Sequence, residues 1–331
     1  MKRIQLTACI LAIFGCISCE KESVIIENTL PVAEKFCIEL GMEESRTYVS
    51  APDETGTRTV SWKAGDQISV NGIVSDPLEA AYDGRKSAKF YFDSVLSMPW
   101  NILYPASFYT DDTHITLPSM QEAMPGEDDL ADDVLPMYAT PSSGSATMAP
   151  LCSVLSLSWT GSDNVEFVEF EGNEGEQVSG LFTINYSNGT LSAASGSTST
   201  RTVSVSSAGG NRINLVVPAR KFNSGFKVRL VDANGACMEK STENAVTFTK
   251  GVVKRFPAFA FVPTENILII RTKDQLLEWA AGDSYKSDGD KVVLGADIDM
   301  GGYTDWTPVD FAGQFDGRGH AITNIAISGA D

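Results

Sequence analysis

The sequence predicts an all-β protein built from two consecutive antiparallel β-sandwiches and a smaller C-terminal module. Three observations carry that reading. Apolar residues come in short alternating runs, Gly, Ser and Thr punctuate almost every segment, and one convincing amphipathic helix occurs in 331 residues. That length holds two domains and part of a third.

The first sandwich is assigned to 35–140, behind a tether at 19–34. Phe36-Cys37-Ile38-Glu39-Leu40 opens it, and strands are expected at Thr57–Trp62, Gln67–Ile73, Ala88–Phe92, Ile102–Tyr104 and His114–Leu117. Alternation in Lys89-Phe90-Tyr91-Phe92 suits a half-buried strand, and Gly65-Asp66 and Asp83-Gly84 mark turns. Residues 119–147 read as a long polar passage between domains. Its acids, Glu127-Asp128-Asp129 and Asp132-Asp133, lack the ordered spacing of a calcium loop, so a solvated acidic loop is expected and no metal site.

The second sandwich is assigned to 141–262, with strands from Val154–Trp159 to Phe259–Val262 and a hairpin turn at Asp232-Ala233-Asn234-Gly235. The texture changes in 263–331. There Thr272 is placed to N-cap a helix, Gln275 to complete a capping box and Gly282 to end it.

The formal net charge of −18 excludes a phosphate-backbone partner, because nucleic-acid binding needs a basic face. At the start, Met1-Lys2-Arg3 precedes an apolar run to Ile17 that is too short to span a bilayer, so 1–18 reads as a cleavable secretory signal. The closing Cys16-Ile17-Ser18-Cys19 resembles the lipobox of bacterial lipoproteins. In that family the matching cysteine, here Cys19, receives the lipid. Several acyl chains at about 0.8 kcal/mol per buried CH₂ would anchor the chain firmly. The acids after Cys19 resemble surface-export signals of Bacteroidota lipoproteins, which implies the outer face of the outer membrane. Cys37, Cys152 and Cys237 then remain, too widely spaced for a disulfide framework or a metal site. Cys152 is expected as a buried thiol, with a Cys152–Cys237 bridge as the alternative.

The span 45–262 resembles the fimbrillin-like proteins of Bacteroidota surface pili. The resemblance rests on Thr57-Arg58-Thr59 before Ser61-Trp62, on Gly65 to Val70, and on Tyr104-Pro105, Leu117-Pro118 and Gln121. Met137-Tyr138-Ala139, Leu155-Ser156-Leu157, Val217-Pro218 and Gly251 complete it. It implies two transthyretin-like sandwiches and a lipoprotein precursor. In polymerising members a protease cuts after an arginine, and a strand from the next pilus subunit fills the groove. Arg46 and Arg58 are the candidate cuts, and both also read as plain surface arginines. A second resemblance covers Leu294 to Met300, Trp306-Thr307-Pro308-Val309 and Phe311 to His320. These are similar to the opening rung of GLUG-like surface-protein β-helix repeats, in which Phe315, Ile322 and Ile325 would stack against the next coil. Such coils need about three neighbours, so continuation past Asp331 or a capping partner is expected.

No enzyme signal emerges. His114 and His320 lack a serine elbow or a cysteine partner, and Gly-rich phosphate loops are absent. Asp297, Asp299, Asp305 and Asp316 read as turn residues rather than a glycosidase pair. Trp62 and Trp159 read as core, and Trp100, Trp279 and Trp306 make no recognisable sugar platform. No cofactor is expected. The leading expectation is a non-catalytic, surface-exposed outer-membrane lipoprotein in pilus assembly or adhesion. The alternatives are a lipoprotein that binds host or dietary glycans, and a truncated polysaccharide-degrading β-helix enzyme.

Overall fold

Strand-forming residues with a two-residue burial period dominate the fold. The computed structural model describes residues 35–42, 61–123, 130–162, 164–205 and 211–326. In Ser87–Phe92, Ala88, Phe90 and Phe92 are buried while their neighbours face outward. This strand pairs antiparallel with Phe36–Met42, setting Phe90 opposite Ile38 and Ala88 opposite Leu40. The two strands lie at one side of a seven-stranded sheet. Across it follow Ser145–Pro150, Met137–Ala139, Ile102–Tyr104, Ser69–Val70 and Ile73–Val74. Four strands face this sheet: Tyr109–Asp111, His114–Leu117, Gly180–Asn185 and Thr190–Ala193. Trp62 fills the core between them, edge-on to Phe90 at 4.8 Å and to Tyr104 at 5.4 Å, and its indole N–H donates to the Leu40 carbonyl.

The second layer pair sets a six-stranded sheet against a smaller one. The former runs Glu265–Asn266, Ala236–Thr242, Phe226–Asp232, Val165–Gly172, Thr200–Val205 and Met120–Ala123. The latter holds Arg212–Pro218, Cys152–Thr160, Val253–Arg255 and Phe259–Ala260. Phe170, Phe222 and Phe248 meet edge to face at its centre, and Phe226 packs on them with tilted rings.

Two paired strands of this smaller sheet, Cys152–Thr160 and Arg212–Pro218, are buried on both faces. Along Cys152–Thr160, Cys152 and Val154 enter the first core, while Leu155, Leu157 and Trp159 enter the second. Its partner splits likewise: Val216 faces the first core, and Ile213, Leu215 and Val217 face the second. The near-continuous apolar run therefore marks a wall shared by two cores.

The all-β sandwich expectation holds, with sheets that are mixed rather than wholly antiparallel. Parallel pairs join Phe36–Met42 to Ser145–Pro150, Cys152–Thr160 to Val253–Arg255, and Thr200–Val205 to Met120–Ala123. Strands also cross the expected boundary at 140/141. The hairpin Gly180–Asn185/Thr190–Ala193 pairs with His114–Leu117 and buries Phe182 and Ile184 in the first core. In exchange, Met120–Ala123 joins the second sandwich. There the buried Gln121 amide mimics a peptide, donating to the Asn214 carbonyl and accepting from the Val216 N–H.

Local expectations shift in three places. The single strand drawn over Gln67–Ile73 is a hairpin, because Asn71 and Gly72 adopt φ of 49° and 84° and turn the chain between Ser69–Val70 and Ile73–Val74. Residues 119–147 are not a patternless passage, since three strands, Met120–Ala123, Met137–Ala139 and Ser145–Pro150, lie in or overlap them. Cys152 is a buried thiol as expected, and no disulfide joins it to Cys237, which sits in a different cluster. The helix Lys273–Ala281 forms as expected, with Thr272 Oγ1 accepting from the Gln275 N–H. The Gln275 side chain reaches the Arg271 N–H rather than that of Thr272, and Gly282 ends the helix in extended backbone.

One polar cluster in the first core generates a pH effect. The Tyr104 hydroxyl lies 3.1 Å from Asp66 Oδ1 and 2.9 Å from Asp133 Oδ1. It has one proton for two carboxylates, so full satisfaction requires a second proton on one of them. Burial is the main cause that pushes the Asp66 carboxyl up to about 6 from 3.8, against the Lys63 N–H that lowers it. A folded pKa above the unfolded one stabilises most at low pH, and this contribution is lost as pH rises through about 6. Asp66→Asn can accept from Lys63 and donate to Tyr104, leaving the hydroxyl proton for Asp133. It is expected to raise the urea midpoint at pH 7.5 and to flatten its pH dependence between pH 4 and 6. An unchanged pH slope would refute this assignment.

Candidate functional site

Three strands of the six-stranded sheet put matched rows of side chains on its outer face. In register, Phe167, Val231 and Cys237 form an apolar row, and Glu169, Arg229 and Glu239 form a charged row beside it. Glu171 and Lys227 begin the next. This face exists because Val168, Phe170, Val228 and Leu230 alternate into the core behind it.

The C-terminal module docks on the apolar row. Its strands Leu268–Ile270, Lys291–Leu294 and Gln314–Asp316 lie parallel, flanked by the helix Lys273–Ala281 and by the parallel pair Ile298–Asp299/Ile322–Thr323. Ile270, Leu276, Trp279, Val292, Leu294 and Ile298 form its own core. Ile267, Ile269 and Val293 pack on Phe167, Val231 and Cys237. Phe315 and Ile325 remain exposed, and Ile322 is half-buried against the module core.

Arg318 pins the joint. Asp316 Oδ1 accepts from the Arg318 N–H at 2.9 Å, which supports a φ of 50° at Arg318 between Gly317 and Gly319. The turn aims the guanidinium beneath the module, 4.0 Å above the Phe167 ring and 2.6 Å from Glu169 Oε1. Its side chain is 1% exposed, and Nε and Nη1 have no hydrogen-bond partner among the described residues. Burial depresses its pKa, with Glu169 and Asp316 opposing. Glu169 also meets Arg229 at 3.3 Å, and Arg229 reaches Glu239 at 3.2 Å. Burial opposes the Arg229 charge, but Glu169 and Glu265 outweigh it and raise the pKa. A second clamp pairs Arg271 with Glu166 and with the Ala233 carbonyl. The Cys237 thiol beneath is pushed up to about 12, chiefly by burial.

Beside this joint the rows stay uncovered and form a cleft of about 400 Å³, walled by Glu169, Glu171, Lys227, Arg229 and Glu239. Lys291, Gln314, Asp316 and Arg318 close its other side. Through Glu171, Lys227 and Glu239 it opens into a shallower trough of about 520 Å³ beside Asn173, Ser224 and Ser241.

Cys19, Arg46 and Arg58 lie outside the described residues, as do Glu127, Asp128 and Asp129. Asp132 pairs with Lys63 at 2.5 Å, and Asp133 accepts from Tyr104. His114 lies 2.9 Å from Asp111, whose carboxyl is lowered to about 2 by the Thr113 N–H, by His114 and by the Thr113 hydroxyl. His320 contacts Asp297 at 3.2 Å, and the Ala321 N–H is the main cause that holds that carboxyl low. Asp299 accepts from the Gly301 N–H and the Asn324 amide, and Asp305 is exposed. Trp62 and Trp159 are fully buried, Trp100 and Trp279 nearly so, and Trp306 is half-buried. Of these acids Asp316 alone lines the cleft. Sequence reasoning missed Arg318, although an arginine between two glycines and two residues after an aspartate signals a constrained turn.

No family model matches the chain, and no curated protein does. Among solved structures it resembles a proposed cell adhesion protein from Bacteroides ovatus ATCC 8483, at 13% identity and a TM-score of 0.38, covering 70% of this chain and 97% of that one. It also resembles one from Bacteroides uniformis ATCC 8492, at 13% identity and a TM-score of 0.39, covering 67% and 93%.

Removing one partner of a buried ion pair strands the other, whereas removing both is far milder. Arg318→Ala is expected to cost about 3 kcal/mol, the low end of such losses because Arg229 still faces Glu169. Arg318→Met with Glu169→Gln should recover at least half. Urea titration with hydrogen exchange over 267–326 checks both, and equal losses in the single and double variants would contradict the assignment.

Proposed function

We propose that the chain is a non-catalytic surface adhesion protein, tethered to the outer membrane by a lipid on Cys19, with the charged cleft as its contact region. One observation carries this reading: three of the four cleft carboxylates are tied into ion pairs. Glu169 is held by Arg229 and Arg318, Glu171 by Lys227 at 3.0 Å, and Glu239 by Arg229. Charges fixed in this way orient a bound partner and are poorly placed to shuttle protons. The signal sequence and lipobox at 1–19 support export and anchoring.

A second reading, pilus assembly by strand addition, has its own support. Ala236–Thr242 pairs with Glu265–Asn266 only at Ala236 and Cys237, and no described strand covers 239–242 on that edge. Beside it runs a groove of about 360 Å³ lined by Leu157, Phe226, Val228, Phe256 and Phe259. An exposed edge beside apolar pockets suits an added strand. In this reading Arg46 or Arg58 is the processing site.

Expressed in a non-adherent Bacteroides strain, the chain is expected to confer protease-accessible surface exposure and adhesion to mucin- or polysaccharide-coated plates. Cys19→Ser should release it from the envelope, and Lys227→Met, at a more exposed cleft residue, should weaken adhesion with surface level unchanged. Full adhesion by Lys227→Met would overturn the cleft as the contact region. Strand addition in turn predicts a detergent-stable ladder of chains in envelope extracts, and monomers alone would exclude it.

A further inference from the structure

We infer that the cleft under the C-terminal strands binds a neutral, hydroxyl-rich chain, namely a segment of uncharged oligosaccharide. This deepens the adhesion reading and rests on it. The balance of charge in the cleft disfavours ionic ligands. The cleft is lined by four carboxylates and four cations, and the register interleaves them, with Arg229 between Glu169 and Glu239. A polyanion entering it meets the carboxylates, and a polycation meets the guanidinium and ammonium groups. Like charges brought together in this way are strongly disfavoured. A hydroxyl both donates and accepts, so successive sugar hydroxyls can satisfy acids and bases in alternation.

The cleft also holds unspent hydrogen-bonding capacity. The Arg318 side chain is 1% exposed and lines the cleft, yet its Nε and Nη1 donors have no partner among the described residues. Buried donors left unsatisfied are costly, and an acceptor oxygen brought by a ligand would remove that cost. Glu169 already neutralises the guanidinium, so an uncharged oxygen suffices. Gln314 adds an amide that donates and accepts at the same wall.

The cleft of about 400 Å³ continues into the trough of about 520 Å³ through Glu171, Lys227 and Glu239. Enclosed volumes of about 300–1,000 Å³ are usual for ligand sites. A compartment continued by a trough fits a linear ligand better than a compact one. Beyond Glu171, Lys227 and Glu239 the trough adds the uncharged Asn173, Ser224 and Ser241 beside a single further carboxylate, Glu243.

The test is calorimetric titration of the chain, signal sequence removed, with neutral hexasaccharides of glucose, mannose, xylose and galactose. A hexamer of galacturonic acid and oligolysine serve as charged comparators. At least one neutral hexasaccharide should bind, with affinity changing less than threefold between 50 and 500 mM NaCl. Lys227→Met and Glu239→Gln, each confirmed to melt as the parent does, should weaken it about tenfold or more. Binding of a charged comparator only, of no neutral hexamer, or with affinity unaffected by both variants would overturn the inference. If adhesion of displaying cells still requires Lys227 in that case, the adhesion reading stands and the ligand class alone is wrong; if it does not, both fall.

Discussion

The fold depends on a wall buried from both sides. Cys152–Thr160 and Arg212–Pro218 send alternate side chains into two different cores, so neither sandwich can be completed without the other. A strand with one wet face can slip or be spared; this pair can do neither, because a one-residue slip would exchange the contents of both cores. The traffic of strands across the middle of the chain follows from it. With the wall shared, the hairpin at 180–193 covers the first core and Met120–Ala123 extends the second. The buried Gln121 amide then ties that strand to the wall through the backbone of Asn214 and Val216.

The same two-residue period acts once more on the far side of the second core. Its inner residues are apolar. Its outer residues form an apolar row that receives the C-terminal module and charged rows that stay uncovered. The boundary between them is Arg318, stacked on Phe167 and paired with Glu169. A buried pair of this kind contributes little net stability compared with apolar packing, but it is unforgiving of misplacement. It therefore defines where the module sits, and the cleft is the space left beside it.

Much of this was legible in the residues. The alternation in Ser87–Phe92, the Asp232 to Gly235 turn and the capped helix at Thr272 all appear where local chemistry puts them. Asn71-Gly72 was equally legible as a hairpin signal and was overrun by the apolar pattern on either side. The cleft was not legible. Glu169 lies 60 residues from Arg229, and each reads as an ordinary solvent-facing charge on its own strand.

By itself, then, the sequence determined the all-β class, the approximate strands and the lack of a basic face. These are local or compositional properties, readable over a few residues. Only the tertiary structure decided that the sandwiches share a wall, that Cys152 and Cys237 stay apart, and that Arg318 meets Glu169 from 149 residues away. Periodicity tells which side of a strand is buried but not against what. Partners across a sheet are chosen by the packing of the whole chain.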